Sequence, residues 1–469
     1  MPASDLSVLE SYPTATATEL VEALAVGKVS AADLAEAAIA RIEALDGAIN
    51  AVVARDFAGA RAAARAADEA LARGERRPLL GLPMTVKEAH HTVGMPTTWG
   101  LKSSEGWVAE ADSVGVERLK AAGAVILGKT NVPPHLGDWQ SNNPVYGRTL
   151  NPHDHARSPG GSSGGSSAAL AAGMVPLEFG SDIGGSIRVP AHFCGVFGHK
   201  PSWGLVPTAG HSPPGMVGGA EVPFGVVGPM ARSAADLELA LNVLAGPAGI
   251  EAKALRVELP PARAARLSDY RVLVVDRHPL ARTGRDVLSA LHGLADRLEA
   301  AGAKVSRRSD KLPNLAAAHG FYMNLLGVIM NMGAPKREGG PPPLTAEEWV
   351  IGLHARENFR NQWEALFEDF DVVLAPPFGT AAFPHEDRPQ GERTLTIDGE
   401  EVPYFSQLAW PGVATFPGLP ATCAPIARTH EGLPLGVQII GGYWEDRTTI
   451  GFAGLMEREL DLRAILPSS

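Results

Sequence analysis

Three stretches carry residue types suited to acyl-transfer chemistry. Gly180-Ser181-Asp182-Ile183-Gly184-Gly185-Ser186-Ile187-Arg188 follows the apolar run Val175 to Phe179. Adjacent glycines let the chain turn tightly and aim several N–H groups at one point. A serine closing such a turn sits where a nucleophile beside an oxyanion hole would sit. The second stretch, Ser158 to Ser167 (SPGGSSGGSS), opens onto Ala168 to Ala172, good helix material, and so gathers amides and hydroxyls at a positive helix end. Each loop taken alone is equally a structural turn or flexible low-complexity sequence. Two of them joined by one helix and one strand point to a shared site. The third element is a base. Lys87 ends the apolar run Leu82 to Val86, which delivers its amine either into the interior or to an exposed strand end. A free lysine, with a pKa of about 10.4, is neutral at pH 7 in roughly one molecule per few thousand. Service as a base requires a depression of about 3 units, about 4 kcal/mol, which burial can supply.

Competing patterns carry less mechanism. Gly123 to Thr130 (GAVILGKT) matches the phosphate-binding loop expression letter for letter. Yet Ala124 to Leu127 read as the strand itself, and Pro133 and Pro134 prevent a helix from continuing after Lys129. Gly161 to Gly165 fits G-x-S-x-G, but that nucleophile elbow needs a buried strand before Ser163. Asn151 to Pro159, with its prolines, histidines and charges, is no core strand, so a triad of Ser163, a later Asp and His430 is the weaker reading. His153-Asp154-His155 and His90-His91 lack the helical spacing and third ligand of a metal site, and no metal or other cofactor is expected.

The elements that must position these residues are legible in outline. Ser30 caps a helix over Ala31 to Leu45, with Asp33 at N3, Leu34, Ala38, Ile39, Ile42 and Leu45 on one face, and Gly47 as the stop. The first 75 residues read as helical. Thr283 and Asp286 open another helix with the stripe Leu288, Leu291, Ala295 and Leu298. Leu82–Val86, Ala124–Leu127, Val175–Phe179, Val272–Val275 and Val372–Ala375 are short apolar runs suited to buried strands. Buried strands separated by helices predict an α/β fold: a large mixed, mostly parallel central sheet covered by helices on both faces. With no repeat and no polar linker, residues 1–469 are expected to form one domain. Its helical N-terminal region covers about 1–75 and its catalytic core about 76–230, and the remainder completes the sheet and substrate pocket. Thr208 to Gly225 and Ala334 to Leu344 are Gly/Pro-rich loops, either substrate walls or plain surface connections.

Composition narrows the function classes. Of 469 residues 45% are hydrophobic and 20% charged, which excludes a disordered chain. The net charge of −11 argues against a nucleic-acid partner. Only Cys194 and Cys423 occur, which excludes a disulfide framework. Met1 to Thr14 shows no basic start followed by an apolar stretch, and the apolar run Leu325 to Met332 is too short to span a bilayer. A cytoplasmic protein without a membrane partner is expected.

Taken together, the motifs resemble the amidase signature family. The resemblance rests on Gly81-Leu82-Pro83-Met84-Thr85-Val86-Lys87, Gly128-Lys129-Thr130-Asn131, Ser158 to Ser166, Gly180 to Arg188, Pro190-Ala191, Cys194-Gly195, Gly198 and Lys200-Pro201. It continues more weakly through Gly418-Leu419-Pro420-Ala421 and Gly432 to Gln438. It implies a Ser–Ser–Lys triad: Ser186 as nucleophile, Ser162 as bridging serine after a cis peptide bond, and Lys87 as base. The N–H groups of Ile183, Gly184, Gly185 and Ser186 would hold the oxyanion, with Ser163, Ser181, Asp182 and Arg188 in support. One departure stands out: where many relatives carry Asp-Asn after the lysine, this chain has Glu88-Ala89-His90-His91. The stretch Lys129 to Asn142 resembles the acyl-pocket wall of relatives that take apolar acyl chains, which makes Leu136, Gly137 and Trp139 candidate pocket residues; plain core packing is the other reading. The expected function is a cofactor-free hydrolase of C–N bonds in small amides through an acyl-serine, extending to aryl amides, esters and carbamates (urethanes), and acting as a monomer or homodimer. The alternative within the family is the glutamine-amidase component of a tRNA-dependent amidotransferase.

Overall fold

The five largely apolar runs all become strands, because such segments are stable only when covered on both sides; the two polar side chains among them, Thr85 and Glu178, are buried and hydrogen-bonded to each other. The computed structural model, which describes residues 5–216, 221–331 and 344–467, sets them in one eleven-stranded sheet. In chain order its strands are β1 (Val52–Arg55), β2 (Pro83–Lys87), β3 (Val125–Thr130), β4 (Leu177–Asp182), β5 (Phe197–Lys200) and β6 (Val226–Ala231), followed by β7 (Arg271–Val274), β8 (Lys304–Ser306), β9 (Val372–Ala375), β10 (Ala421–Arg428) and β11 (Pro434–Ile440). Their spatial order is β1-β3-β2-β4-β6-β5-β10-β11-β9-β7-β8.

The mixed sheet flanked by helices stands, but the expectation that it is mostly parallel is corrected. β2 runs parallel to β3 and β4, and β7 runs parallel to β8 and β9. Every pairing from β4 through β6, β5, β10 and β11 to β9 is antiparallel, as is β1 on β3. A strand buried on both faces reads the same in either direction, so the connection decides. The turn at 429–433 between β10 and β11 is too short for a crossover and forces antiparallel pairing.

Helix boundaries follow the capping chemistry at Ser30, but the helix expected to open on Thr283 starts at Arg285, after Gly284, with no side-chain cap. Ser30 Oγ accepts the Asp33 N–H at 3.0 Å, as expected of an N-cap. The helix then runs through Gly47 to Ile49 and ends on Asn50, held in the left-handed region at φ 59°. Asparagine tolerates that conformation, so it closes the helix where glycine was expected to. The N-terminal region is not wholly helical, since β1 adds an edge strand there. In the helix Arg285–Ala300 the buried stripe is Val287, Leu291, Leu294, Ala295 and Leu298, while Leu288 stays half-buried.

The arrangement matters for the site because β2 and β4 are parallel neighbours. Their C-terminal ends put Lys87 beside the turn that follows Asp182, and ligand sites of parallel sheets form at such ends. The helix Gly164–Ala171 begins directly after Ser163, with every residue buried. No helix among the described residues is long and apolar enough to cross a membrane.

Candidate active site

Lys87 points inward. It is fully buried, and its Nζ lies 2.7 Å from Ser162 Oγ, 2.9 Å from Ser163 Oγ and 2.9 Å from Ser181 Oγ. No carboxylate among the described residues touches it. Burial drives its pKa down from the ordinary lysine value to about 7, against the opposing pull of Asp182 and Glu178 at longer range. The positive end of the helix Gly164–Ala171 adjoins the same hydroxyls and also disfavours an ammonium. The exposed strand-end alternative for Lys87 is thereby removed.

The Gly161–Ser162 peptide is cis. Ser162 and Ser186 are both buried, with Ser186 the more open of the two at 6% exposure against 1%. The serine loop and the turn are tied together by the Ser163 N–H, which donates to the Ser186 carbonyl at 3.1 Å. The hydroxyl of Ser186 makes no hydrogen bond among the described residues, so the Ser162–Ser186 hydroxyl bond implied by the resemblance is not formed in this arrangement.

The turn is held by a buried ion pair. Asp182 and Arg188 have no side-chain exposure and meet at 2.9 Å. The Asp182 carboxylate also accepts N–H groups of Gly185 at 2.9 Å and Ile187 at 3.1 Å. Burial by itself would raise the Asp182 pKa, but the Arg188 guanidinium and these donors bring it down to about 2. Arg188 spends its other N–H groups on Pro411 O, Gln438 Oε1 and Thr415 Oγ1 at 3.0, 2.8 and 2.7 Å. Of the four amides expected to form an oxyanion hole, Ile183, Gly184 and Ser186 have no acceptor among the described residues. Gly185 does not fit that expectation: its N–H is already committed to Asp182, and with φ +95° its part is to turn the chain.

The candidate pocket residues separate. Leu136 and Gly137 are half-buried on a short helical turn, with His135 and Leu136 both at positive φ. A Cβ on Gly137 would lie 3.5 Å from Met330 Cε, so the helix Leu315–Met330 faces this segment. Trp139 is no open wall. It is 3% exposed, packs against Phe378, Tyr404 and Phe405, and donates its indole N–H to the Gly184 carbonyl at 3.0 Å. A buried indole N–H needs an acceptor, and the turn supplies it. Tyr322 donates its hydroxyl to the neighbouring Ile183 carbonyl at 2.7 Å. Sequence reasoning missed this contact; no local pattern around Tyr322 announces it.

The departure after Lys87 is mostly buried. Glu88 accepts the N–H groups of Thr98 and Trp99 at 2.5 and 3.0 Å, while Lys129 donates to Pro96 O and Thr97 Oγ1 at 2.6 and 2.7 Å. The Gly-Lys-Thr run is therefore strand β3, with its lysine buried on a loop rather than aimed at phosphate. His90 stacks on Phe179 at 4.2 Å and adjoins His211 at 4.8 Å. The loop Thr208 to Gly225, apart from 217–220, thus brings His211 against His90 and Phe224 against Tyr322. Of Ala334 to Leu344 only Leu344 is described; the rest, like Met332, lies outside the described residues. No strand leads directly into Ser163, and His430 is exposed on the turn between β10 and β11. Among the described residues no group of three or more His, Cys, Asp or Glu side chains could hold a metal ion.

Comparison with known proteins agrees with this geometry. The family model "Amidase" matches residues 33–330 and 345–450. The A chain of the glutamyl-tRNA(Gln) amidotransferase of Roseiflexus sp. (strain RS-1) is 33% identical over 96% of this chain and 98% of its own length. AtzE of Pseudomonas sp. (strain ADP), part of a 1-carboxybiuret hydrolase, is 34% identical over 91% of this chain and 95% of its own. Among solved structures, a bacterial aryl acylamidase of the amidase signature family superposes with a TM-score of 0.80 at 25% identity, covering 95% of this chain and 96% of that one. With the family model matching most of the chain and these relatives covering nearly all of it, the chain belongs to the amidase signature family and is a serine amidohydrolase of C–N bonds.

Proposed function

We propose that Ser186 is the nucleophile, Ser162 the proton relay and Lys87 the base. Neutral Lys87 takes the Ser162 proton while Ser162 takes that of Ser186, whose oxygen adds to the substrate carbonyl. The N–H groups of Ile183, Gly184 and Ser186 stabilise the resulting oxyanion. As the tetrahedral adduct collapses, Ser162 passes its proton to the leaving nitrogen and recovers one from Lys87, because an amide nitrogen leaves poorly unless protonated. Water then repeats the cycle on the acyl-serine, releasing the carboxylic acid. The Ser162–Ser186 bond closes on substrate binding, as catalytic hydrogen bonds that are long in the resting site commonly do. Asp182, Arg188, Ser163 and Ser181 hold the reacting groups in place and do not react.

The observation that carries this reading is the Lys87 amine, enclosed by three hydroxyls, without a carboxylate neighbour among the described residues, and held at about 7 by burial. The substrates are small apolar or aromatic amides, with esters and carbamates (urethanes) served by the same addition. This is supported by the apolar cluster of Phe224, Tyr322, Leu325 and Phe416, against which the half-buried Ile183 packs. The protein works in the cytoplasm as a monomer or homodimer, without an obligate partner.

A panel of p-nitroanilide, ester and carbamate substrates tests this. Turnover of at least one class by the wild type, lost in Ser186→Ala and in Lys87→Ala with melting behaviour retained, is expected. Wild-type rates in Lys87→Ala would remove the lysine base. A second reading is favoured by the Roseiflexus relative: release of ammonia from glutamine for a partner. Glutaminase activity appearing only in a larger complex on gel filtration, with the panel inert, would select it.

A further inference from the structure

The oxyanion turn is fastened from behind by two aromatic donors that lie outside the serine-glycine loops. In a planar peptide unit the C=O and the N–H point in opposite directions, so a donor bound to the carbonyl fixes where the N–H aims. The unit joining Gly184 to Gly185 is held at both ends, by Trp139 on its oxygen and by Asp182 on its N–H. The preceding unit, Ile183 to Gly184, is held only at its oxygen, by Tyr322 at 2.7 Å, and its N–H has no acceptor among the described residues.

We propose that Tyr322 is a positioning residue that aims the Gly184 N–H at the oxyanion. The inference rests on the reading of Ser186 and its turn given above, and adds to it a residue from a distant helix. Tyr322 is fully buried, and its ring stands edge-on to Phe224 at 5.7 Å. It passes so close to Gly412 that a Cβ there would meet the ring at 3.0 Å, and its hydroxyl lies 3.6 Å from where a Gly184 Cβ would be. A phenol clamped in this way holds the carbonyl at no reorganisation cost when charge develops opposite it. Burial pushes its ionisation far above the ordinary tyrosine range, so it remains a donor at every working pH. The helix Leu315–Met330 that carries it also sets Met330 against Gly137, which ties one pocket wall to the same fastening.

The test is Tyr322→Phe, which keeps the ring and removes the donor. Tyr270→Phe, a buried tyrosine whose hydroxyl lies 3.4 Å from Ala264 O away from the site, is the control. The probes are the best substrate of the panel, a boronic acid with the same acyl side chain that forms a tetrahedral adduct, and the product carboxylate. In Tyr322→Phe, kcat should fall about tenfold, less than the 10²–10³ that deletion of an oxyanion donor costs. KM should stay within about twofold, boronate inhibition should weaken about tenfold, and carboxylate inhibition should hold. A purely structural tyrosine would lower the melting temperature and all three affinities together, which would overturn the proposal. So would wild-type kcat and boronate affinity. If Tyr322→Phe does not fold, 3-fluorotyrosine at position 322 keeps the ring and alters the strength of the same donor to the Ile183 carbonyl, and unchanged boronate affinity there refutes the proposal. If Ser186→Ala keeps activity, the site reading itself fails and this inference with it; if Ser186→Ala is dead while Tyr322→Phe is wild type, only the role of Tyr322 fails.

Discussion

Replacing Asp182 by Asn should separate local geometry from global stability. The carboxylate and its Arg188 partner have no side-chain exposure, and breaking one half of such a buried pair costs about 3–5 kcal/mol. Arg188 would keep Pro411 O, Gln438 Oε1 and Thr415 Oγ1 as neutral acceptors, which places the cost near the lower bound. A chain of 469 residues has an unfolding entropy of about 1 kcal/mol/K at its midpoint, so the melting temperature should fall by only about 3 °C. The turn is affected far more. The introduced side-chain amide can offer an N–H where the Gly185 and Ile187 N–H groups need an acceptor, and the oxyanion donors lose their frame. A kcat loss of about 10²–10³ is expected, the scale of a lost oxyanion donor. Calorimetric melting and steady-state kinetics on one preparation give both numbers. The acid limb adds a further readout: because the Asp182 pKa is depressed to about 2, its contribution is fully present above the ordinary value near 4 and is lost as pH falls towards 2. The stability gap between wild type and Asp182→Asn should therefore be constant from neutral pH to about 4 and close below it. A variant with kcat within threefold of wild type and an unchanged melting temperature would refute the assignment of the pair as the anchor of the turn.

Two further outcomes follow from the same contacts. Protonation of Lys87 below about 7 removes the base, so kcat/KM should fall about tenfold per pH unit on the acid side and level off above; a flat profile from pH 5.5 to 8.5 would contradict it. Gly165→Ala would press a methyl group into the backbone of Asn131 and Ala51, and overpacking of that kind costs about 1–3 kcal/mol; an unchanged unfolding free energy would show that the serine loop can shift.

Much of the site was legible because its chemistry is written in short range. Lys87 at the end of a largely apolar run, and two serine-glycine stretches flanking a helix and strand, mark a candidate site locally, while the separate roles of Ser162 and Ser186 came only from the family resemblance. The aromatic donors behind the turn were not, because they reach it from 45 and 139 residues away and have ordinary local surroundings. Trp139 read as a pocket wall, since nothing near it reveals that its indole would meet the Gly184 carbonyl. Tyr322 sits in a plain apolar helix. Strand existence was readable from Val272–Val275 or Val372–Ala375, but strand direction was not, because a fully buried run carries no mark of which way its neighbour runs. β1 escaped notice for a related reason: four residues between two helices give too short a pattern to register.

The mechanism turns on an uncharged Lys87 at neutral pH. Nζ-directed NMR on protein labelled with ¹⁵N and ¹³Cε lysine, titrated with pH, reads that charge directly. Burial holds Lys129 and Lys200 at about 7 as well, so Lys87→Met is needed to assign the resonance. A signal absent from Lys87→Met that titrates with a midpoint near 7 is the predicted result; one that keeps its ammonium shift up to pH 9 would contradict the mechanism.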